Sequence, residues 1–393
     1  MTLRGKVKLQ RAAGIIYAGL FGIITLSVLF FNFYYKTYPF YPHYILAAFA
    51  LAGILLALNR FLKDQMRGIV ILMFVFFLTL QFIYAFYAYS SGGYDVSAVM
   101  TLAKSIAMTK LPVRNDYLAS YFSAAPNNLF CGLIYGLALK AAMLLGFRNS
   151  DLCLAIINVL FVNCAAALMY NSAKKIIHQK CAIISVLVFY LLFGFSHHIV
   201  TPYTDSLGMV VVMLLIVVYI KIRESAKRGK IVFSLLFAVL SALGFLVKPQ
   251  VLITSIAVLI CDIFFDYKKN KYRIYFALAL IAAIVYVPVN FYTRNNLIEG
   301  MDFSKETKIE LFLLYGVCER DGTYGVWDGE SYELYKSFTD EAERRSACLQ
   351  RIGEKKKIWG HLVFRLSYTK SSVSHSATER FLLEEKAEES GCC

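Results

Sequence analysis

Residues 126–147 read PNNLFCGLIYGLALKAAMLLGF, and whether this stretch crosses a membrane decides the fold. It is long and apolar enough to be weighed as a span. It opens with Pro126, which suits a first helical turn, and it carries Lys140 well inside. The loops around it settle the reading, because cytoplasmic loops are enriched in Lys and Arg. Arg4, Lys6, Lys8 and Arg11 precede the first apolar segment, and Arg60, Lys63 and Arg67 precede the third; both groups belong in the cytoplasm. If 126–147 crossed, three basic loops would fall outside: Lys174, Lys175 and Lys180; Lys221, Arg223, Lys227, Arg228 and Lys230; and Lys268, Lys269, Lys271 and Arg273. If it does not cross, all three return to the cytoplasm. The segment is therefore expected to be an interfacial or re-entrant helix on the outer side, the alternative being that it spans and a neighbouring segment does not.

The rest of the chain supports a membrane setting. Of 393 residues, 59% are apolar and only 17% charged, where soluble domains are about half apolar and about a quarter charged. Further apolar segments run at 12–35, 42–62, 68–89, 150–173, 181–198, 204–222, 231–247, 249–265 and 272–293. The expected fold is all-α and polytopic, with about nine spans. A transmembrane domain covers residues 1–295, with an outer loop at 89–147, and a small extracytoplasmic tail covers 296–393. The formal charge of +15 would suggest nucleic acid in a soluble protein. Here it sits in short loops and reads as topology, with the N-terminus cytoplasmic and no nucleic-acid partner. Residues 1–11 read as a retained basic N-terminus, since no small-residue cleavage site follows the first apolar segment.

On this topology the outer face collects polar residues that lack an obvious structural reason. They are Tyr94-Asp95, Arg114-Asn115-Asp116, the run from Tyr121 to Asn128, His197-His198, Pro202-Tyr203-Thr204-Asp205 and Lys248-Pro249-Gln250. Asp95 stands where a span emerges, a costly place for an acid without water or a task. It could serve as a general base or merely cap the helix expected over 96–108. Lys248 and Arg114 are cations that could stabilise a leaving phosphate, though Lys248 could also only anchor a span. Asn127, Asn128 and Tyr203 can donate hydrogen bonds to a phosphate or a sugar; one asparagine could equally serve the helix start. Asp205 is either part of the site or an N-cap. His197-His198 has no third ligand at metal spacing. The nine cysteines form no metal pattern either; Cys318 and Cys348, in the tail, could pair if the tail is outside. There is no phosphate-binding glycine motif of the G-x-x-x-x-G-K-[ST] or G-x-G-x-x-G kind.

The order Asp95, then 121–129 (YFSAAPNNL), then Pro202-Tyr203-Thr204-Asp205, then Val247-Lys248-Pro249-Gln250 resembles bacterial membrane glycosyltransferases of the GT-C fold. The resemblance is to glycosyltransferase family 39 and the dolichyl-phosphate-mannose–protein mannosyltransferase group, over about residues 70–350. It implies a GT-C-like bundle and a polyprenyl-phosphate-sugar donor. It implies Asp95 as the catalytic acid/base, and Lys248, Tyr203, Asp205, Asn127, Asn128 and Arg114 as donor-site lining. The acceptor would be a glycan or a lipid-linked molecule at the cell membrane. Whether a divalent ion takes part stays open. Many such enzymes carry two acids together in the first outer loop; here Asp95 has no adjacent acid. A transporter, a flippase or a polymerase of lipid-linked glycans is the competing expectation. Against transport stand the lack of an internal repeat and the placing of acids at span edges.

Overall fold

A computed structural model of the chain describes residues 67–89, 93–265, 271–320, 323–324, 328–338 and 340–354. The first two expected spans, 12–35 and 42–62, lie outside the described residues. The chain divides into two compact units, one of which carries the described residues up to Glu306 and the other those from Thr307 onward. Among the described residues the fold is helical apart from one two-residue ladder.

Ten helices build the first unit: α1 (Arg67–Ala88), α2 (Tyr94–Met108), α3 (Asp116–Ala124), α4 (Leu129–Leu144), α5 (Ser150–Ile176), α6 (Gln179–Phe193), α7 (Thr204–Glu224), α8 (Lys227–Val247), α9 (Val251–Phe265) and α10 (Lys271–Asn296). Their ends follow local chemistry. Asn149 caps α5 by accepting from the Leu152 N–H at 3.1 Å, with Asp151 in the first turn and Lys174 and Lys175 in the last, matching the helix dipole. Asn115 caps α3 through the Leu118 N–H at 3.0 Å. α8 stops at Val247 because Pro249 disfavours helical geometry in the residue before it.

Among the described residues six segments are long and apolar enough to cross a membrane: Gly68–Ala88, Pro126–Leu144, Ser150–Ile176, Thr204–Glu224, Lys227–Val247 and Ala277–Asn296. The expected segments 181–198 and 249–265 fold as shorter helices of 15 residues each. That is about 22 Å, short of a hydrocarbon core of about 30 Å. Gly194 and the 3-10 turn His197–Ile199 end the first early.

Packing gives each helix a direction. α1 and α5 are antiparallel: Ala85 packs with Ala155 and Val159 at one end, Phe77 with Ala166 further along. The Asn149 amide donates to the Tyr89 hydroxyl at 3.2 Å, so the two ends of the loop at 89–149 meet. α5–α6, α7–α8 and α8–α9 are antiparallel neighbours in turn, with Lys175–Glu224 and Arg223–Asp262 pairs at the far end, where the basic residues gather. One interior network joins three helices. Asn163 of α5 donates to Gln81 of α1 at 2.6 Å and accepts from Tyr190 of α6 at 2.7 Å; Gln81 donates to the Gly194 carbonyl at 3.0 Å. Gln81 is fully buried, and its amide is satisfied on both atoms, as a polar group in an apolar interior requires.

α2, α3 and α4 form a small subassembly at the near end. α2 and α4 run in the same direction, Leu102 against Gly132 and Ile106 against Gly136. α3 returns between them, its Leu118 and Phe122 buried against Ala98, Leu102 and Ile106. Length and composition alone make Pro126–Leu144 a span. The packing instead makes α4 the third leg of a path that starts and ends beside Tyr89 and Asn149.

The tail boundary expected at residue 296 moves to Glu306. Leu297 and Ile298 are buried with α2 and α3, Val113 donates to the Leu297 carbonyl at 2.8 Å, and Ser123 accepts from the Asp302 N–H at 2.7 Å. Those ten residues are apolar or bonded to the bundle, so they stay with it. The second unit contains α11 (Ile309–Val317), a ladder of β1 (Glu319–Arg320) with β2 (Thr323–Tyr324), α12 (Gly329–Lys336) and a helix α13 at 341–354. Asp340 caps α13 through the Glu343 N–H at 2.9 Å. Cys318 and Cys348 share its core with Leu311, Leu314 and Tyr335, and both are free thiols there.

Candidate functional site

Asp95 lies in the first turn of α2 but does not cap it: Gly93 is the N-cap residue and no side chain bonds the helix amides. The carboxylate turns away from its own helix, and Tyr203, at the N-terminus of α7, donates its hydroxyl to Asp95 Oδ2 at 3.1 Å. The Tyr121 phenol, from α3, lies close enough to feel the charge of the same carboxylate. Asn128 then links the two phenols, its amide donating to Tyr121 Oη at 2.9 Å and to Tyr203 Oη at 3.3 Å. Asn127 donates to Asn128 Oδ1 at 3.3 Å. Three segments far apart in sequence, around Asp95, 121–128 and Tyr203, thus come together beside one exposed carboxylate.

The backbone leading into Asp95 is strained. Tyr94 has φ of 41°, in the left-handed region that L-residues with a Cβ avoid. Such a residue costs on the order of 1–3 kcal/mol and persists where surroundings hold it. Its ring is almost wholly exposed, so side-chain burial does not hold it. Burial first, and Asp95 second, push both the Tyr121 and Tyr203 phenols above the ordinary tyrosine range. Both therefore stay protonated as donors at physiological pH.

A scaffold lies beneath this cluster. Tyr135 of α4 donates its hydroxyl to Asn158 of α5 and to the Tyr203 carbonyl. Asn158, completely buried, donates to the His198 and Ile199 carbonyls at 2.8 and 2.7 Å. It fixes the 3-10 turn His197–Ile199 that leads into Tyr203. Sequence alone assigns no role to Asn158 or Tyr135; the readable sign is that asparagines, Asn158 and Asn163, interrupt the apolar run of α5. Tyr121 fell inside the singled-out run at 121–128 without a role of its own.

Lys248 and Asp205 form an ion pair, Nζ to Oδ1, in which the side chains keep 30% and 45% of their exposure. Tyr203, not Asp205, is the N-cap residue of α7, and the Asp205 side chain turns to Lys248 instead. Arg114 stands apart: it pairs with Glu299 at 2.6 Å, is 85% exposed, and lies about two turns of α3 from Tyr121. Among the described residues no three His, Cys, Asp or Glu side chains gather as a metal-binding set.

This arrangement can orient a carboxylate, keep neutral phenols and amides beside it, and offer one cation nearby. A family model described as conserved hypothetical integral membrane protein matches residues 44–368. The chain belongs to that family. The match covers the whole cluster and the described part of the second unit. Together with several long apolar helices it makes the protein a multi-pass integral membrane protein. No curated protein and no solved structure matches the chain.

Proposed function

We propose that the protein is a membrane glycosyltransferase of GT-C type, moving a sugar from a polyprenyl-phosphate carrier to a glycan or lipid-linked acceptor at the outer face of the cell membrane. One observation carries this reading. The Asp95 carboxylate sits on a strained turn, bonded by one phenol with a second beside it, at the end of the bundle opposite the basic residues. The positive-inside bias puts that end outside, the N-terminus in the cytoplasm and the tail outside.

Because α1 and α5 are antiparallel and meet at that end, the chain between them crosses an even number of times. α2 and α4 run in the same direction and α3, at nine residues, spans about 14 Å. That order favours no crossing between α1 and α5, with α4 on the outer side. Counting the expected spans at 12–35 and 42–62, which lie outside the described residues, and the short helices α6 and α9 as crossings, this reading gives nine spans.

In the reaction the acceptor hydroxyl oxygen attacks the anomeric carbon, and its proton passes to Asp95. The bond from that carbon to the phosphate oxygen breaks, and its electron pair leaves with the polyprenyl phosphate. A carboxylate has about four lone-pair positions, so the two phenols leave room for the acceptor. On this reading Lys248, paired with Asp205 two residues beyond Tyr203, stabilises the charge that the leaving phosphate gains. Asp95→Asn keeps the shape and removes the base. In proteoliposomes supplied with a radiolabelled polyprenyl-phosphate hexose, it should lower transfer by at least roughly a hundredfold. Near wild-type transfer would overturn the assignment.

A further inference from the structure

We propose that Asp205 is an exchangeable internal counter-ion: it holds Lys248 while the site is empty and gives it up to the phosphate of the donor. The inference rests on the reading of the site as one for a lipid-linked phosphate. Lys248 closes α8, and its stem lies along the first turns of α7; a methyl placed on Gly208 would sit 3.9 Å from its Cβ and Cδ. The ammonium group therefore arrives at the N-terminus of α7, where it meets Asp205. That terminus carries no side-chain cap, since Tyr203 makes no bond to the helix amides. A negative charge there gains from the helix dipole and from Lys248 together. Asp205 takes both gains now, and a phosphate would take the same two.

The pair is poised for exchange. Its side chains are part exposed, and ion pairs in that setting hold weakly. The donor phosphodiester carries the same single charge as the carboxylate and offers more acceptor oxygens to the same ammonium. Tyr203 precedes Asp205 by two residues and bonds Asp95, so a phosphate on Lys248 lies beside the carboxylate that receives the acceptor proton. Once the sugar has left, the carrier phosphate has gained a second negative charge, and Asp205 beside Lys248 repels it more strongly than it repelled the donor. In this way a binding residue would be turned into a release device.

The probes are dodecyl phosphate and inorganic phosphate, titrated by calorimetry into monodisperse, purified wild type, Asp205→Asn, Asp205→Ser, Lys248→Gln and the Asp205→Asn/Lys248→Gln double variant. Removing the internal competitor should tighten dodecyl phosphate by roughly three- to tenfold in both Asp205 variants. Lys248→Gln should weaken it, and in the double variant the gain should vanish. The exchange is overturned if neither Asp205 variant binds more tightly, or if the gain survives without Lys248. Inorganic phosphate binding as tightly as dodecyl phosphate would overturn the lipid source. These outcomes are independent of the Asp95→Asn transfer assay. Loss of transfer there with no gain here would refute the exchange and leave the base in place.

Discussion

Two glycines on one helix face should respond differently to the same added methyl group. α4 meets α2 through Gly132 and Gly136. A Cβ on Gly132 would lie 2.6 Å from Leu102 Cδ2, the far end of a flexible side chain that can rotate away. A Cβ on Gly136 would lie 2.8 Å from Ile106 Cβ and 3.2 Å from the Ala103 carbonyl oxygen. A Cβ follows its backbone and has no rotamer to escape into. Carbon atoms rest at about 3.5–4.0 Å, so the two helices would have to part by roughly 1 Å. Alanine gains about 0.8–1 kcal/mol over glycine within a helix, and overpacking costs about 1–3 kcal/mol. Gly132→Ala should therefore match or exceed wild-type stability, and Gly136→Ala should fall about 1 kcal/mol below it. Gly136→Ala should also slow transfer, because α2 carries Asp95. Thermal unfolding of detergent-purified variants reads the ranking. Equal stabilities, or Gly132→Ala as the weaker of the two, would refute the parallel packing of α2 on α4.

Three further outcomes follow from the site and the topology. Tyr203→Phe removes one hydrogen bond to a charged group, about 1.5 kcal/mol, and should lower kcat/KM about tenfold; a change under roughly twofold would remove Tyr203 from the mechanism. Since burial and Asp95 raise the Tyr121 and Tyr203 phenols, both remain donors as pH rises, and transfer should hold its rate up to roughly pH 10. An alkaline fall below that pH which Tyr203→Phe abolishes would contradict it. On a cysteine-free background, Arg148→Cys should react with a membrane-impermeant maleimide added outside intact cells; reaction only after the cytoplasm is opened would invert the topology.

The sequence reveals positions better than partnerships. Asp95, Tyr203 and Asn128 were legible because each is polar at the edge of an apolar run, where hydrocarbon penalises it. Their convergence rested on topology alone, and packing now places them within hydrogen-bond reach. The Asp205–Lys248 pair was not legible: 43 residues separate the two, and each had a local explanation as cap or anchor. Arg114 was over-read for the same reason in reverse, since Glu299 is 185 residues away and nothing local announces it. Asn158 and Tyr135 look like ordinary members of apolar helices until the turn at 197–199 supplies the carbonyls that Asn158 serves and Asn158 supplies the oxygen that Tyr135 serves. The extent of α2 was readable to within two residues, whereas the tail boundary moved by ten, because Leu297 and Ile298 become core only once α2 and α3 are in place.

The amide of Gln81 carries a consequence for how the protein is made. Its acceptor, the Gly194 carbonyl, lies 113 residues later in the chain. At about 5–20 residues per second the ribosome needs on the order of ten seconds to deliver it. Through that interval α1 holds an unsatisfied amide amid apolar side chains, where an unpaired polar group is costly. The cost lasts until α5 brings Asn163 and the chain reaches Gly194, when both atoms of the amide find their partners. Replacing Gln81 with leucine would remove that cost and the network with it.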